Sequence, residues 1–370
     1  MRRWKTAVVA TAAVALVAPA TTANAEGSGG GEVRTVADGL QGPRQLNTYA
    51  DGKLVVAEYD SDEVSSVDPR TGRVRTLLSG LPEVQGVDYD DGLLFVALGE
   101  EPPDDPGPDA AAATPAEVRG SSLIVAKPGG RVLKSYDLLA YELENNPDRQ
   151  LQFDPETEEP LDALSNPFAV HVQDKRILVA DAGANAVLSI NRKTGKISTF
   201  FVPPRVRPSE VPACEGANEA QGVEGCDPVP TGVTEGKNGH IYVSTLGAER
   251  PGAARVYVLN KDGKVLRVIR DLTGLTGIAV DKSGAVHVSE LFEGAPEGEP
   301  GPGFDPTVVG QVVRIAPNGA RSYAQVTLPA GLEFLNGKLF ASAWSVAFFL
   351  GIEDAGEVVQ VPSGAFERAR

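Results

Sequence analysis

The sequence predicts an all-β chain folded as a six-bladed β-propeller, and three observations carry that prediction. The first is a recurring strand that ends in Ala or Ser: Leu54-Val-Val-Ala57, Leu94-Phe-Val-Ala97, Ile177-Leu-Val-Ala180, Ile241-Tyr-Val-Ser244, Val286-His-Val-Ser289 and Leu339-Phe-Ala-Ser342. The second is a shorter strand ahead of each, across a tight turn: Gln45-Leu-Asn, Gly86-Val-Asp-Tyr, Ala169-Val-His-Val, Gly232-Val-Thr, Gly277-Ile-Ala-Val and Gly331-Leu-Glu-Phe. A period of roughly 40–50 residues with four strands per unit marks a propeller. The third is a pair of alternating turn families, which order the strands within each unit.

Strands A and B are joined by Asp51-Gly52, Asp91-Gly92, Asn238-Gly239, Ser283-Gly284 and Asn336-Gly337, with Asp174-Lys175 in the third unit. Such pairs supply the positive φ angles of two-residue hairpins. Strands C and D are joined by Thr71-Gly72, Gly129-Gly130, Thr194-Gly195, Asp262-Gly263 and Asn318-Gly319. There are only five of these. The sixth unit runs through Glu357-Val-Val-Gln-Val361 and stops near Pro362-Ser363-Gly364 without a strand D. Val33-Arg-Thr-Val36, ahead of the first strand A, has the character of the missing strand. Pairing it with the sixth blade closes the ring and removes two exposed sheet edges.

Outside the propeller, assigned to 33–364, the chain divides simply. Residues 1–25 read as a signal peptide: Arg2, Arg3 and Lys5, an apolar Ala7–Val17, then Ala23-Asn24-Ala25 for cleavage. Residues 26–32 (EGSGGGE) read as a flexible leader and 365–370 as a tail. An exported, extracytoplasmic protein is therefore expected. No later segment has the length or purity of a membrane span, since the run Ala341–Ile352 contains Ser342, Ser345 and Gly351. The formal charge is −16, and removing the signal makes it more negative by three. Such a surface repels nucleic acid and anionic membrane. The expected partner is a small molecule or a protein, and the expected state a monomer. Cys214 and Cys226 are the only cysteines, and a disulfide is their simplest use in an exported chain.

The turn pattern has a functional consequence. A–B and C–D turns emerge on one face of a propeller, B–C and D–A connections on the other. All the short turns fall on the first face. The insertions fall on the second: Gly99–Gly120, Ala140–Ser165, Pro203–Pro230, Leu291–Gly310, and the shorter Leu246–Ala254 and Ala343–Gly356. Long loops gathered on one face point to a binding surface over the central channel. The channel mouth is expected at the start of each strand A, at Arg44, Gln85, Asn166 with Phe168, Thr231, Thr276 and Ala330. A small polar or anionic ligand over Arg44, or a water-filled bore, fits this ring equally. Trp344, in the last loop beside Phe348 and Phe349, either clamps a flat ligand or plugs its loop onto the blades.

Carboxylates recur after strand B on alternate blades, at Glu58, Asp181 and Glu290. Together they could hold Ca²⁺ or Mg²⁺ through hard oxygen ligands; separately they cap their own loops. His171, His240 and His287 form no known motif, and no HExxH, GxSxG or phosphate-binding loop occurs.

The phrases Ser165-Asn-Pro-Phe-Ala-Val170, Leu178-Val-Ala-Asp-Ala-Gly183 with Asn185, Pro230-Thr-Gly-Val233, Pro251-Gly-Ala-Ala-Arg-Val-Tyr257 and Leu328-Pro-Ala-Gly-Leu332 resemble the ScyD/ScyE family of exported propellers. The resemblance spans roughly 33–362 and implies an exported propeller without assigned catalytic residues. More distantly, the repeat is similar to NHL-repeat propellers, which are binding modules, and to gluconolactonase (SMP-30) and streptogramin-lyase propellers, which are metal-dependent enzymes. Those enzymes carry a Glu on the first inner strand, where this chain reads Gly42-Pro-Arg-Gln-Leu46. A binding or accessory role is therefore the leading expectation, and a metal-dependent lactonase or lyase the alternative.

Overall fold

The computed structural model describes residues 31–100, 118–161, 163–218, 223–296, 298, 301 and 303–368. The expected signal peptide, most of the leader and the centre of the Gly99–Gly120 insertion lie outside these residues. Strand β1 (Arg34–Leu40) comes first, and five complete blades follow. Blade one holds β2 (Pro43–Tyr49), β3 (Lys53–Glu58), β4 (Glu63–Asp68) and β5 (Arg73–Leu78). Blade two holds β6 (Val84–Asp90), β7 (Leu93–Leu98), β8 (Ser122–Lys127) and β9 (Arg131–Asp137). Blade three holds β10 (Pro167–Val172), β11 (Arg176–Asp181), β12 (Ala186–Asn191) and β13 (Ile197–Phe201). Blade four holds β14 (Pro230–Glu235), β15 (Ile241–Thr245), β16 (Ala254–Leu259) and β17 (Val265–Leu272). Blade five holds β18 (Leu275–Val280), β19 (Val286–Glu290), β20 (Gln311–Ile315) and β21 (Arg321–Gln325). Blade six holds β22 (Leu332–Leu335), β23 (Lys338–Ala343) and β24 (Gly356–Val361).

Each blade is a four-stranded antiparallel sheet, and the sixth is completed by β1. Arg34 pairs with Gln360 and Leu40 with Gly356. The ring is thus closed by the N-terminal strand, as the missing sixth C–D turn requires. Three A–B turns have the expected backbone, Asp51-Gly52, Asp91-Gly92 and Asn336-Gly337 taking positive φ at both positions, whereas Asn238-Gly239 and Ser283-Gly284 take it only at the glycine and Asp174-Lys175 at neither.

The core lies between blades. Six apolar clusters fill the six blade–blade interfaces, from Val55, Val87 and Val96 between blades one and two to Leu40, Leu54 and Phe340 between blades six and one. Both faces of every sheet are therefore buried, which explains why strand B is a continuous apolar run rather than an alternating one.

Two features depart from the sequence reading. The Ala140–Ser165 insertion opens on helix α1 (Leu138–Asn145), capped at its start by Asp137, whose side chain accepts from the Ala140 N–H at 2.8 Å. The tail after 364 is partly built in: Phe366 packs on the interface of blades five and six, and Glu367 exchanges backbone bonds with Tyr323 at 2.8 and 2.9 Å.

Candidate functional site

Strand A of each blade is the inner edge of its sheet, so half of its backbone groups face the bore with no ladder partner. In blades four to six, short hydroxyl side chains meet them. Thr231 Oγ1 donates to the Leu275 carbonyl at 2.5 Å and Thr276 Oγ1 to that of Pro329 at 2.9 Å. Ser289 Oγ reaches the Ala330 carbonyl at 2.6 Å, and Ser342 Oγ that of Arg44 at 2.7 Å. Gly232, Gly277 and Gly331 permit this approach. A Cβ on Gly277 would lie 2.0 Å from the Ala330 carbonyl oxygen.

On the other side, one long side chain does the same work. Gln45 Nε2 donates to the Val170 carbonyl at 2.9 Å, while its Oε1 accepts from the N–H groups of Val87 and Val170 at 3.1 and 3.0 Å. Asn47 Nδ2 adds a bond to the Val87 carbonyl, and Asp88 accepts from the Val172 N–H. Between Gln45, Asn47, Thr231, Thr276 and Glu333 a small cavity of about 20 Å³ remains, enough for a water molecule. Of the residues expected at the mouth, Thr231 and Thr276 therefore sit in the bore wall with their hydroxyls engaged. Ala330 meets them there through the carbonyl that accepts from Ser289, and Phe168 packs into the core between blades three and four.

Arg44, Gln85 and Asn166, with Trp344 of the last loop, lie toward the loop face. Arg44 is buried, with its guanidinium 4.6 Å over the Tyr59 ring and its Nε without a partner. Burial depresses its pKa, against the pull of Tyr59, Asp60 and Glu83. Tyr59 is hydrogen-bonded to Glu83, and burial pushes its phenol far up; burial also raises Asp60. Gln85 and Asn166 converge on Gly99, where an added Cβ would meet Asn166 Oδ1 at 2.8 Å and Gln85 Nε2 at 3.0 Å. Gln85 Oε1 is buried without a partner. Trp344 stands at φ 56°, a backbone region costly for a non-glycine residue. It lines a shallow groove with Gly42, Asp60, Phe348 and Ile352. Tyr59, Asp60 and Glu83 were not singled out from the sequence, although each is within two positions of a residue that was.

Glu58, Asp181 and Glu290 are each used separately. Each accepts from a backbone N–H just ahead of strand A in its own blade: Gln41 at 2.8 Å, Asn166 at 2.7 Å and Thr273 at 2.9 Å. Asp181 also takes the Ser165 hydroxyl at 2.7 Å, and Glu290 the Gln311 amide at 2.7 Å. All three carboxyls are raised by burial, Asp181 to about 6. Among the described residues no three His, Cys, Asp or Glu side chains come together as a metal cage. The carboxylates staple the D–A loops to the ends of strand B, where capping of the B–C loops was expected; Asp181 also caps its own B–C loop through the Ala184 N–H at 3.2 Å.

On the short-turn face, His171 lies between carboxylates of neighbouring blades, 4.0 Å from Asp88 and 3.8 Å from Glu235. On the loop face, Cys214 and Cys226 are joined by a disulfide that ties the Pro203–Pro230 insertion. That loop meets the preceding insertion through Gln150 and Asp227, 2.7 Å apart.

No family profile matches the chain, and no curated protein matches it by sequence. Solved structures do match by fold. The gluconolactonase of Xanthomonas campestris has a TM-score of 0.53 at 10% identity, covering 89% of each chain. A Bacteroides thetaiotaomicron protein of unknown function scores 0.52 at 11% identity, over 89% of this chain and 75% of its own. A streptogramin B lyase scores 0.49 at 14% identity, over 89% and 96%. At these identities the first two likenesses show the six-bladed propeller fold alone. The disulfide is compatible with an extracytoplasmic protein, and among the described residues no helix is long and apolar enough to cross a membrane.

Proposed function

We propose that the protein is an exported propeller of the ScyD/ScyE type that binds a small polar or anionic molecule on its long-loop face. The observation that carries this reading is Arg44. Its guanidinium is buried at the mouth of the channel, and its Nε–H has no acceptor. A buried donor left unmade costs about 1–3 kcal/mol, which a ligand acceptor removes. Tyr59 behind the guanidinium and Trp344 on the neighbouring groove supply flat apolar surface. Arg44 also stands in the inner-strand stretch where the lactonase pattern has a carboxylate, which weighs against the metal-dependent alternative.

The test is a thermal-shift and native-mass screen of small carboxylates and phosphates, alongside lactones with Ca²⁺, Mg²⁺ and Mn²⁺. The expected hit raises the melting temperature of the wild type. Arg44→Lys, which keeps the charge but loses the Nε donor, weakens it at least tenfold. Metal-dependent turnover of a lactone, lost in Glu58→Gln or Asp181→Asn, would replace this reading with the enzymatic one.

A further inference from the structure

Helix α1 ends in an unusual accumulation of oxygen acceptors. Leu138, fully buried between blades two and three, anchors the helix, and this turns Glu142 inward until it is 3% exposed. One carboxylate oxygen of Glu142 accepts from Gln152 Nε2 at 3.1 Å. The other, Oε2, is buried and has no donor. Four residues on, Asn146 closes the helix in the left-handed conformation at φ 42°. Its Nδ2 donates to the Gln150 carbonyl at 2.8 Å. A carbonyl can only accept, so this bond fixes the orientation of the amide and leaves Oδ1 as the orphan. That oxygen too is buried without a partner. Both side chains turn to the same segment, Glu142 to the Gln152 amide and Asn146 to the Gln150 carbonyl.

The surroundings are anionic. Asp148 and Asp181 are the charges that repel Glu142. Their own oxygens are already engaged, Asp148 with Gln150 and Asn185, Asp181 with Ser165, Asn166 and Ala184. No ion pair with Lys or Arg among the described residues engages Glu142, Asp148 or Asp181. The C-terminal end of a helix adds negative potential of its own. Two orphan acceptors, two further carboxylates and a helix C-terminus all lack the same thing, which is positive charge.

We infer that Glu142 Oε2 and Asn146 Oδ1 are the protein ligands of a calcium site at the C-terminal end of α1. Asp181 is a neighbouring charge of this site and not a ligand of it, and the site is independent of what the loop face binds. Both ligands are hard oxygens, as Ca²⁺ requires, and its flexible coordination of six to eight oxygens lets waters and nearby carbonyls complete the shell. With one directly ligating carboxylate the affinity belongs in the weak range, about 10⁻⁴–10⁻³ M, of extracellular modules. Mg²⁺, which demands near-ideal octahedral geometry and gives up water reluctantly, should bind less well. Occupancy would fix the start of the Ala140–Ser165 insertion, the loop joined through Gln150 to the disulfide-tied one.

Equilibrium dialysis with radiolabelled calcium, with melting temperature as a parallel readout, tests the site on the full chain. One calcium per chain is expected, with stabilisation on saturation. Asn146→Gly keeps the left-handed cap while removing the oxygen, and should weaken binding at least tenfold. Glu142→Gln should weaken it likewise, and raise the melting temperature without metal because its amide can donate to Asn146. Glu290→Gln, on blade five, should leave calcium binding unchanged. Absence of binding at millimolar calcium would mean that a proton or a water satisfies the two oxygens, and would overturn the inference. So would binding that both variants retain, or that Glu290→Gln abolishes.

Discussion

The two halves of the ring solve one problem in two ways. Every inner strand presents unpaired N–H and carbonyl groups to the bore. Blades four to six bring neighbouring backbones so close that a Ser or Thr hydroxyl spans the gap, and the glycines at 232, 277 and 331 make that approach possible. In blades one to three the gap is spanned by Gln45, which reaches across the bore to blades two and three. Gly86 nonetheless brings blade two equally close to blade three, where an added Cβ would lie 2.7 Å from the Phe168 carbonyl oxygen. In the first half the closure is repeated and distributed. In the second it is concentrated in one amide.

This difference predicts where the ring breaks most easily by crowding and where by truncation. Gly277→Val should give the largest effect. Its side chain would have to displace the Ala330 and Gly331 backbone rather than a flexible side chain, so a loss of at least about 4 kcal/mol is expected. Urea unfolding checks it, and a loss under about 1 kcal/mol would mean that the half-ring is not tightly packed.

The second expected effect is somewhat smaller. Gln45→Leu keeps the size but strands the Val87 N–H and both backbone groups of Val170, for about 3 kcal/mol. An unchanged denaturation midpoint would show that bore water replaces the amide at no cost, and the contrast between the halves would then carry no energetic weight.

The first half was legible in the sequence and the second was not, for a physical reason. A Gly opening strand A and a Ser closing strand B recur in each of the last three blades, so repetition exposes them. Gln45 is a single residue whose partners lie 42 and 125 positions away, and nothing local marks its target. The closing strand was legible because five C–D turns against six A–B turns leave one blade without its strand D. Helix α1 had ordinary signals, Asp137 before an apolar pair and Asn146-Pro147 after, but they sat in an insertion read only for its length. At the loop face, Arg44 could be named from register and Trp344 from its place among the aromatics of the last B–C loop. Tyr59, Asp60 and Glu83 could not, because loop residues meet by the path of the chain rather than by the repeat.

The last and smallest expected effect lies on the seam between the halves, where Glu333 of blade six lines the bore. Burial, and then the charge of Asp88 on blade two, push its carboxyl up to about 8. The folded chain therefore holds a proton that the unfolded chain releases near the ordinary Glu value of 4.5. Where the native state binds more protons, stability falls as pH rises. The contribution of Glu333 is thus complete below about 4.5, declines as pH rises, and is lost through about 8. His287 acts in the opposite sense. Packed edge-on between Phe334 and Phe366, it is lowered to about 4 by burial, so its contribution grows from about pH 4 up to its unfolded value of 6.5. Above pH 6.5 only the Glu333 decline remains of the two. Between pH 6.5 and 8.5 the denaturation midpoint of the wild type should therefore fall relative to that of Glu333→Gln. Parallel curves for the two proteins would mean that bore water reaches the carboxyl and keeps it ionised, and that the two halves meet across a hydrated seam rather than a dry one.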